Sequence, residues 1–150
     1  MTEQRIQLAL NVKNLDEAVA YYSKLFGAEV NKRKPGYANF AINEPPLKLV
    51  LFENEEAERL NHLGVETFDN EDVNKAIARF ETAGIADEIE TEEVCCFAKQ
   101  NKVWSADPQG LRWEWYTILE DSETFFAEDT QAPDCCAEEA AKEEAAPTCC

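Results

Sequence analysis

The sequence predicts an α+β fold in which two tandem βαβββ modules build one cupped mixed sheet. Three observations lead there. Several segments alternate apolar and polar residues, and two others carry apolar residues at helical spacing. Each helical segment stops on a glycine, Gly27 and Gly84, and the whole pattern restarts near residue 60. The two glycines are 57 residues apart, close to the offset of 55 that lays Gln7 on His62, and the slip of two is loop variation.

The elements follow in order. In QRIQLALNV, residues 4–12, Ile6, Leu8, Leu10 and Val12 alternate with Gln7, Ala9 and Asn11, which is strand periodicity. NLDEAVAYYSKLFG then places Leu15, Val19, Tyr22 and Phe26 on one helical face, with Asn14 as N-cap and Gly27 just past the end. AEVNKRK, YANFAIN and LKLVLFE read as three strands separated by the turn signals KPG and NEPP. In the second half LNHLGVETF is a strand, and NEDVNKAIARFETAG is a helix with Val73, Ile77 and Phe80 on one face. DEIETEEVCC, KVWSAD and RWEWYTIL are three further strands. DPQG fits a type I turn with Asp107 at the first position, Pro108 at the second and Gly110 at the fourth, feeding the last strand.

The chain of 150 residues, 45% hydrophobic, holds one domain of ordinary size. The expected domain covers residues 1–121, with modules at about 1–55 and 58–121, and residues 122–150 form a disordered acidic tail rich in Glu, Ala and Asp without apolar periodicity. Net charge is −17, and residues 120–150 supply ten carboxylates against one lysine, more than half of that excess. Such a balance argues against nucleic-acid or anionic-membrane partners, which call for Lys and Arg. With no secretory leader and no apolar run near the ~18 residues of a membrane span, the expectation is a soluble cytoplasmic protein.

All six cysteines sit in adjacent pairs: Cys95 with Cys96, Cys135 with Cys136, Cys149 with Cys150. Neighbouring Cα atoms are ~3.8 Å apart, short of the roughly 4.4–6.8 Å of a relaxed disulfide. The doublets therefore read as reduced thiols sharing a soft ligand, since thiolates select soft metals and, by the same chemistry, trivalent arsenic.

His62 is the one histidine, which excludes an HExxH pair, a two-histidine facial triad and three-histidine zinc sites. Gln7 and His62 occupy equivalent first-strand positions of the two modules and face the same side. Glu114 lies between Trp113 and Trp115, which point the other way. In a cupped sheet the three converge, and an amide oxygen, an imidazole and a carboxylate can hold a divalent metal with positions left over. Gln7 or His62 alone has an ordinary structural reading; a carboxylate buried on an inner face costs several kcal/mol without a partner.

The duplicated pattern, the ligand candidates on strands one, five and eight, and DPQGLRWEW together resemble the vicinal oxygen chelate superfamily of glyoxalase I, extradiol dioxygenases and bleomycin-resistance proteins. More narrowly, QLALNV, KRKPGYANFAI, PPLKLVLFE, LNHLGVE, CCFAKQNKVW and RWEWYTILEDSETF resemble the carbon-arsenic lyase family, a neighbour of the cadmium-induced proteins, over residues 4–126. The resemblance implies the vicinal oxygen chelate fold around a metal site. It further implies an Fe(II)- and O2-dependent enzyme that cleaves the carbon-arsenic bond of methylarsenite or aromatic arsenicals and releases arsenite. Carried over by position, Gln7, His62 and Glu114 hold Fe(II), and Cys95 and Cys96 hold the arsenic. The choice of iron rests on the resemblance, because the ligand set alone permits several divalent metals. Phe40, Phe97 and Trp104 are aromatic candidates for the pocket wall.

Two roles stand open for Cys135, Cys136, Cys149 and Cys150: tethered capture of arsenicals, or a nonspecific soft-metal sink. Two rivals stand beside the lyase. One is a non-catalytic protein that sequesters Cd(II) or As(III); the other is a glyoxalase-like isomerase or thiol transferase using Zn(II) or Ni(II). Sequestration accounts for the cysteines and gives no reason for an inward Gln7, His62 and Glu114.

Overall fold

The computed structural model describes residues 3–121. The tail expected at 122–150, with its four cysteines, lies outside the described residues. The elements are β1 (Gln4–Val12), α1 (Leu15–Phe26), β2 (Lys32–Lys34), β3 (Tyr37–Ile42), β4 (Leu47–Glu53), β5 (Leu60–Thr67), α2 (Asn70–Ala83), β6 (Glu88–Cys95), β7 (Ala98–Ala106) and β8 (Arg112–Asp121). They form one eight-stranded mixed sheet in the order β2-β3-β4-β1-β5-β8-β7-β6. Read outward from the β1–β5 seam, the first half runs 1-4-3-2 and the second 5-8-7-6, so the two βαβββ modules repeat one topology.

The seam makes the repeat exact to the residue. β1 and β5 pair antiparallel with Gln7 opposite Gly64 and Ala9 opposite His62. Adding 55 to Gln7 gives His62, and adding 55 to Ala9 gives Gly64, so each pair maps onto the other. On the outer strands of the seam, β4 runs parallel to β1 with Ala9 beside Val50, and β8 runs parallel to β5 with Gly64 beside Glu114. Val50 and Glu114 are therefore counterparts, and the four central strands carry Gln7, Val50, His62 and Glu114 at related places.

Local chemistry fixes the helices. Asn14 Oδ1 accepts from the Glu17 amide at the start of α1, and Asp69 caps α2 by accepting from Glu71. Gly27 and Gly84 close them in the left-handed region, with φ of 60° and 73°. α1 covers a core of Val12, Leu15, Phe40, Leu49 and Leu51, and Val19, Tyr22 and Phe26 pack against it. α2 sets Ala76, Ile77 and Phe80 against Val103 and Trp115, with the Phe80 and Trp115 rings edge-on at 5.9 Å. No described helix is long and apolar enough to cross a membrane.

On β1 the polar face is the more buried one. Gln7 and Asn11 are closed off while Leu8 and Leu10 are only partly covered, because the concave side of the sheet encloses the polar row. Two boundaries depart from expectation. AEVNKRK yields a strand only at Lys32–Lys34: Ala28 and Val30 turn into the α1 core, leaving the link without ladder pairing before Asn31, whose amide reaches Asn39 O at 2.8 Å. β7 begins at Ala98 rather than Lys102, since its first residues pair with β6 across a two-residue turn.

Gly64 is required by close approach. A Cβ there meets Glu114 O at 2.7 Å, Glu114 Cγ at 2.8 Å and Gln7 Nε2 at 3.3 Å. Gly64→Ala is expected to cost about 2 kcal/mol or more, read by urea unfolding.

Candidate active site

The concave face gathers Gln7 from β1, His62 from β5 and Glu114 from β8, as the sequence predicts. All three are at most 5% exposed. His62 Nε2 lies 2.8 Å from Glu114 Oε2 and 3.1 Å from Gln7 Nε2, and that amide nitrogen lies 2.5 Å from the same carboxylate oxygen. Three tips thus converge on one point.

Each tip is held from behind. Tyr116 donates its hydroxyl proton to Gln7 Oε1 at 2.6 Å. His62 Nδ1 meets Asn61 Oδ1 at 2.8 Å. Asn61 Nδ2 donates to Asn11 Oδ1, and Asn11 Nδ2 to the Glu58 carbonyl. This chain of amides leaves Asn61 Oδ1 as an acceptor, so Nδ1 carries a proton and Nε2 is the ring nitrogen turned into the site. Trp104, fully buried, stands edge-on to the imidazole at 5.1 Å.

Burial alone pushes the Glu114 carboxyl upward; the Lys102 ammonium and His62 override it and hold the group well below the usual carboxylate range. Lys102 is 1% exposed, with Nζ 2.7 Å from Glu114 Oε1. The contact is a buried ion pair that engages Oε1, leaving Oε2 turned toward His62 and Gln7. The sequence reading missed Lys102, although it sits two residues from Trp104 on the inward parity of β7.

The residues fit a divalent metal. Among the described residues no three of His, Cys, Asp and Glu cluster; the third donor is the Gln7 amide. That amide turns Nε2 toward His62 and Glu114 and Oε1 to Tyr116. A half-turn presents Oε1 to the site, while Nε2 donates to the Tyr116 oxygen, which serves equally as acceptor. One nitrogen and two oxygens, one of them from a carboxylate that stays ionised, suit a first-row divalent ion. The fourth related place, Val50, offers no ligand.

The cysteine doublet lies at the rim. Cys96 and Phe97 form the two-residue turn joining β6 to β7, with φ of 55° and 63°. Two successive positive φ values belong to a type I′ hairpin, normally the place of Asn-Gly, and side-chain-bearing residues persist there only when their surroundings enforce it. Gln100 Nε2 donates to Cys95 O at 2.9 Å and Lys32 Nζ to Phe97 O at 2.8 Å. Phe97 packs on Tyr37 at 5.3 Å between ring centres. The two sulfurs stand 3.3 Å apart, beyond bonding distance, so the pair is not closed on itself.

A cavity of about 60 Å³ is lined by Gln7, His62, Glu114 and Cys96, and also by Tyr37, Val50 and Phe52. Cys95 is 1% exposed, packed behind its neighbour. Of the aromatic candidates, Phe97 joins the apolar cluster of Ala9, Tyr37 and Val50 beside Cys96, and Trp104 backs His62. Phe40 does neither: it lies in the α1 core on the other side of the sheet.

Two expectations follow. Asn61→Ala removes the acceptor that fixes the imidazole, and metal affinity measured by competition with a chelator is expected to fall about 10- to 100-fold. Burial pushes the Tyr37 phenol up to about 12. A raised value favours the protonated form in the folded state, so this contribution is complete below about pH 10, the ordinary tyrosine value, and is lost as pH rises toward 12. Tyr37→Phe is expected to flatten that alkaline loss in unfolding curves.

The comparisons with known proteins agree with this architecture. The family model described as Glyoxalase/Bleomycin resistance protein/Dioxygenase superfamily matches residues 5–115. The "Cadmium-induced protein CadI" of Mycobacterium tuberculosis is 54% identical over 140 residues, covering 88% of this chain and 92% of that protein. The "Trivalent organoarsenical cleaving enzyme" of Thermomonospora curvata is 48% identical over 134 residues, covering 88% and 87%. Among solved structures, the Mn(II)-bound glyoxalase from Novosphingobium aromaticivorans superposes with a TM-score of 0.60 at 21% identity, over 85% of this chain and 42% of that one. The E323L mutant of homoprotocatechuate 2,3-dioxygenase from Brevibacterium fuscum gives 0.58 at 18%, over 83% and 34%. The duplicated modules, the shared curled sheet and these sequence matches have one reading: the chain belongs to the glyoxalase/bleomycin resistance protein/dioxygenase superfamily.

Proposed function

We propose that the protein cleaves the carbon-arsenic bond of trivalent organoarsenicals, methylarsenite and aromatic arsenicals among them, with Fe(II) and dioxygen, and releases arsenite. The observation that carries this reading is one cavity lined by Gln7, His62 and Glu114 and by Cys96, whose chain neighbour Cys95 completes the doublet. The 48% identity to a trivalent organoarsenical cleaving enzyme supports it.

The division of labour follows from the residues. Reduced Cys95 and Cys96 take the two exchangeable positions of a monosubstituted trivalent arsenical and leave its carbon facing inward. Tyr37, Val50 and Phe97 form the apolar wall that shields the organic group from water. Gln7, His62 and Glu114 hold Fe(II), which supplies dioxygen binding and activation when present. Asn61 keeps the His62 proton on Nδ1, Lys102 keeps Glu114 ionised, and Tyr116 orients the Gln7 amide. Fixing substrate and metal in one cavity supplies near-attack geometry, an effect of several kcal/mol. For methylarsenite the atoms balance with one dioxygen, giving arsenite and formaldehyde, with arsenic trivalent throughout.

Sequestration without turnover remains the contrasting reading, and the 54% identity to a cadmium-induced protein is the observation that favours it. It leaves the buried Gln7, His62 and Glu114 without a task. The test loads the reduced full-length chain with Fe(II) under nitrogen, adds methylarsenite and then admits air. Arsenite and formaldehyde are expected in equal amounts, only with both iron and oxygen. His62→Ala and the Cys95→Ser, Cys96→Ser pair are each expected to lose on the order of a hundredfold or more in rate. Methylarsenite recovered intact but protein-bound would defeat the lyase reading.

A further inference from the structure

The cavity wall carries more positive charge than its own carboxylates balance, in a chain whose net charge is −17. Three lysines line it, Lys32, Lys48 and Lys102. Lys32 is matched by Asp121 at 2.8 Å and Lys102 by Glu114 at 2.7 Å. Lys48 differs. It is 5% exposed, and its Nζ is 3.0 Å from Glu66 Oε2, but the other oxygen of that carboxylate is taken by Arg5 Nε at 2.5 Å. Two buried or half-buried cations thus share one carboxylate that is itself 2% exposed. A surplus charge taken out of water costs several kcal/mol unless a counter-ion meets it.

The position of Lys48 indicates where that counter-ion arrives. Lys48 is directly opposite Gln7 in the β1–β4 ladder and two residues from Val50 on the same face of β4. It therefore borders both the metal triad and the apolar wall. Binding of a trivalent arsenical by two thiolates leaves no charge on arsenic, and a divalent metal adds positive charge to the centre. Neither arrival neutralises Lys48.

We infer that Lys48 forms an anion subsite that makes the cavity selective for trivalent arsenicals whose organic group carries a carboxylate. The inference rests on the arsenical reading above and deepens it by naming the substrate class. Burial lowers the affinity of Lys48 for its proton while Glu66 opposes that effect, and a carboxylate seated beside it would reinforce the charged form. A charge-assisted contact in a dry wall is stronger than its counterpart in water.

The test separates this subsite from catalysis by reading binding. The protein is the reduced full-length chain with Cys135→Ser, Cys136→Ser, Cys149→Ser and Cys150→Ser, so that Cys95 and Cys96 alone can take arsenic. Tryptophan fluorescence, with Trp104 beside the site, follows titration with phenylarsenite and with its para-carboxyl derivative. The carboxyl compound is expected to bind about tenfold more tightly at low salt. In Lys48→Met the ratio is expected to fall to near one. Arg5 still matches Glu66 in that variant, and a thermal melt verifies the fold; Lys48→Arg, which keeps the charge, is expected to retain much of the preference. Equal affinities in the unmodified site, or a preference that survives Lys48→Met, would overturn the subsite and mark the Arg5, Glu66 and Lys48 cluster as structural. Failure of the arsenical reading looks different: neither compound would bind in a manner lost with Cys95→Ser and Cys96→Ser.

Discussion

The structure depends above all on one seam, the antiparallel pairing of β1 with β5. It joins the two modules, puts Gln7 and His62 at related places 55 residues apart, and sets Gly64 directly against Glu114. A register slip of one residue would turn every inward side chain of a strand to the opposite face. The donors would then face the helices and the leucines would face the cavity. The absence of a side chain at Gly64 lets Glu114 and Gln7 approach across the seam, so the site is assembled by backbone pairing before any side chain chooses a rotamer.

Around that seam the interior is unusually ionic. Glu114 with Lys102, and Glu66 with Arg5 and Lys48, are buried groups that an apolar cup would do without. Buried ion pairs contribute little to stability, and breaking one by removing a partner is costly. Their placement in a concave wall, with a carboxyl held far from its ordinary titration range, is the pattern of a site built for chemistry. The hydrophobic stability lies elsewhere, under α1 and under α2 on the convex side.

Much of this was legible in the sequence because it is local or periodic. Asn14, Gly27 and Gly84 mark helix ends through capping chemistry, the alternation in QRIQLALNV sets the β1 faces, and the spacing of Gln7 and His62 states the module repeat. Glu114 announced itself as a carboxylate between two tryptophans. What stayed hidden depends on long-range pairing. Lys102 reads as an ordinary strand lysine until β7 is laid beside β8. Lys48 and Glu66 meet only because β1 lies between β4 and β5. The turn at Cys96 and Phe97 carries neither Gly nor Asn, and its left-handed backbone is set by the surrounding contacts rather than by residue preference. The signal that could have found it is the switch from strand alternation to an adjacent cysteine pair.

The central claim is that a metal held by Gln7, His62 and Glu114 and an arsenic held by Cys95 and Cys96 share one cavity. X-ray absorption at the arsenic edge of the reduced, anaerobic, iron-loaded protein with bound methylarsenite tests it most directly, using the chain with its four tail cysteines changed to serine. The account predicts an arsenic shell of two sulfurs and one carbon, a metal scatterer beyond it, and an iron edge with only nitrogen and oxygen ligands. A metal ligated by sulfur, or an arsenic site with no metal in its neighbourhood, would contradict it.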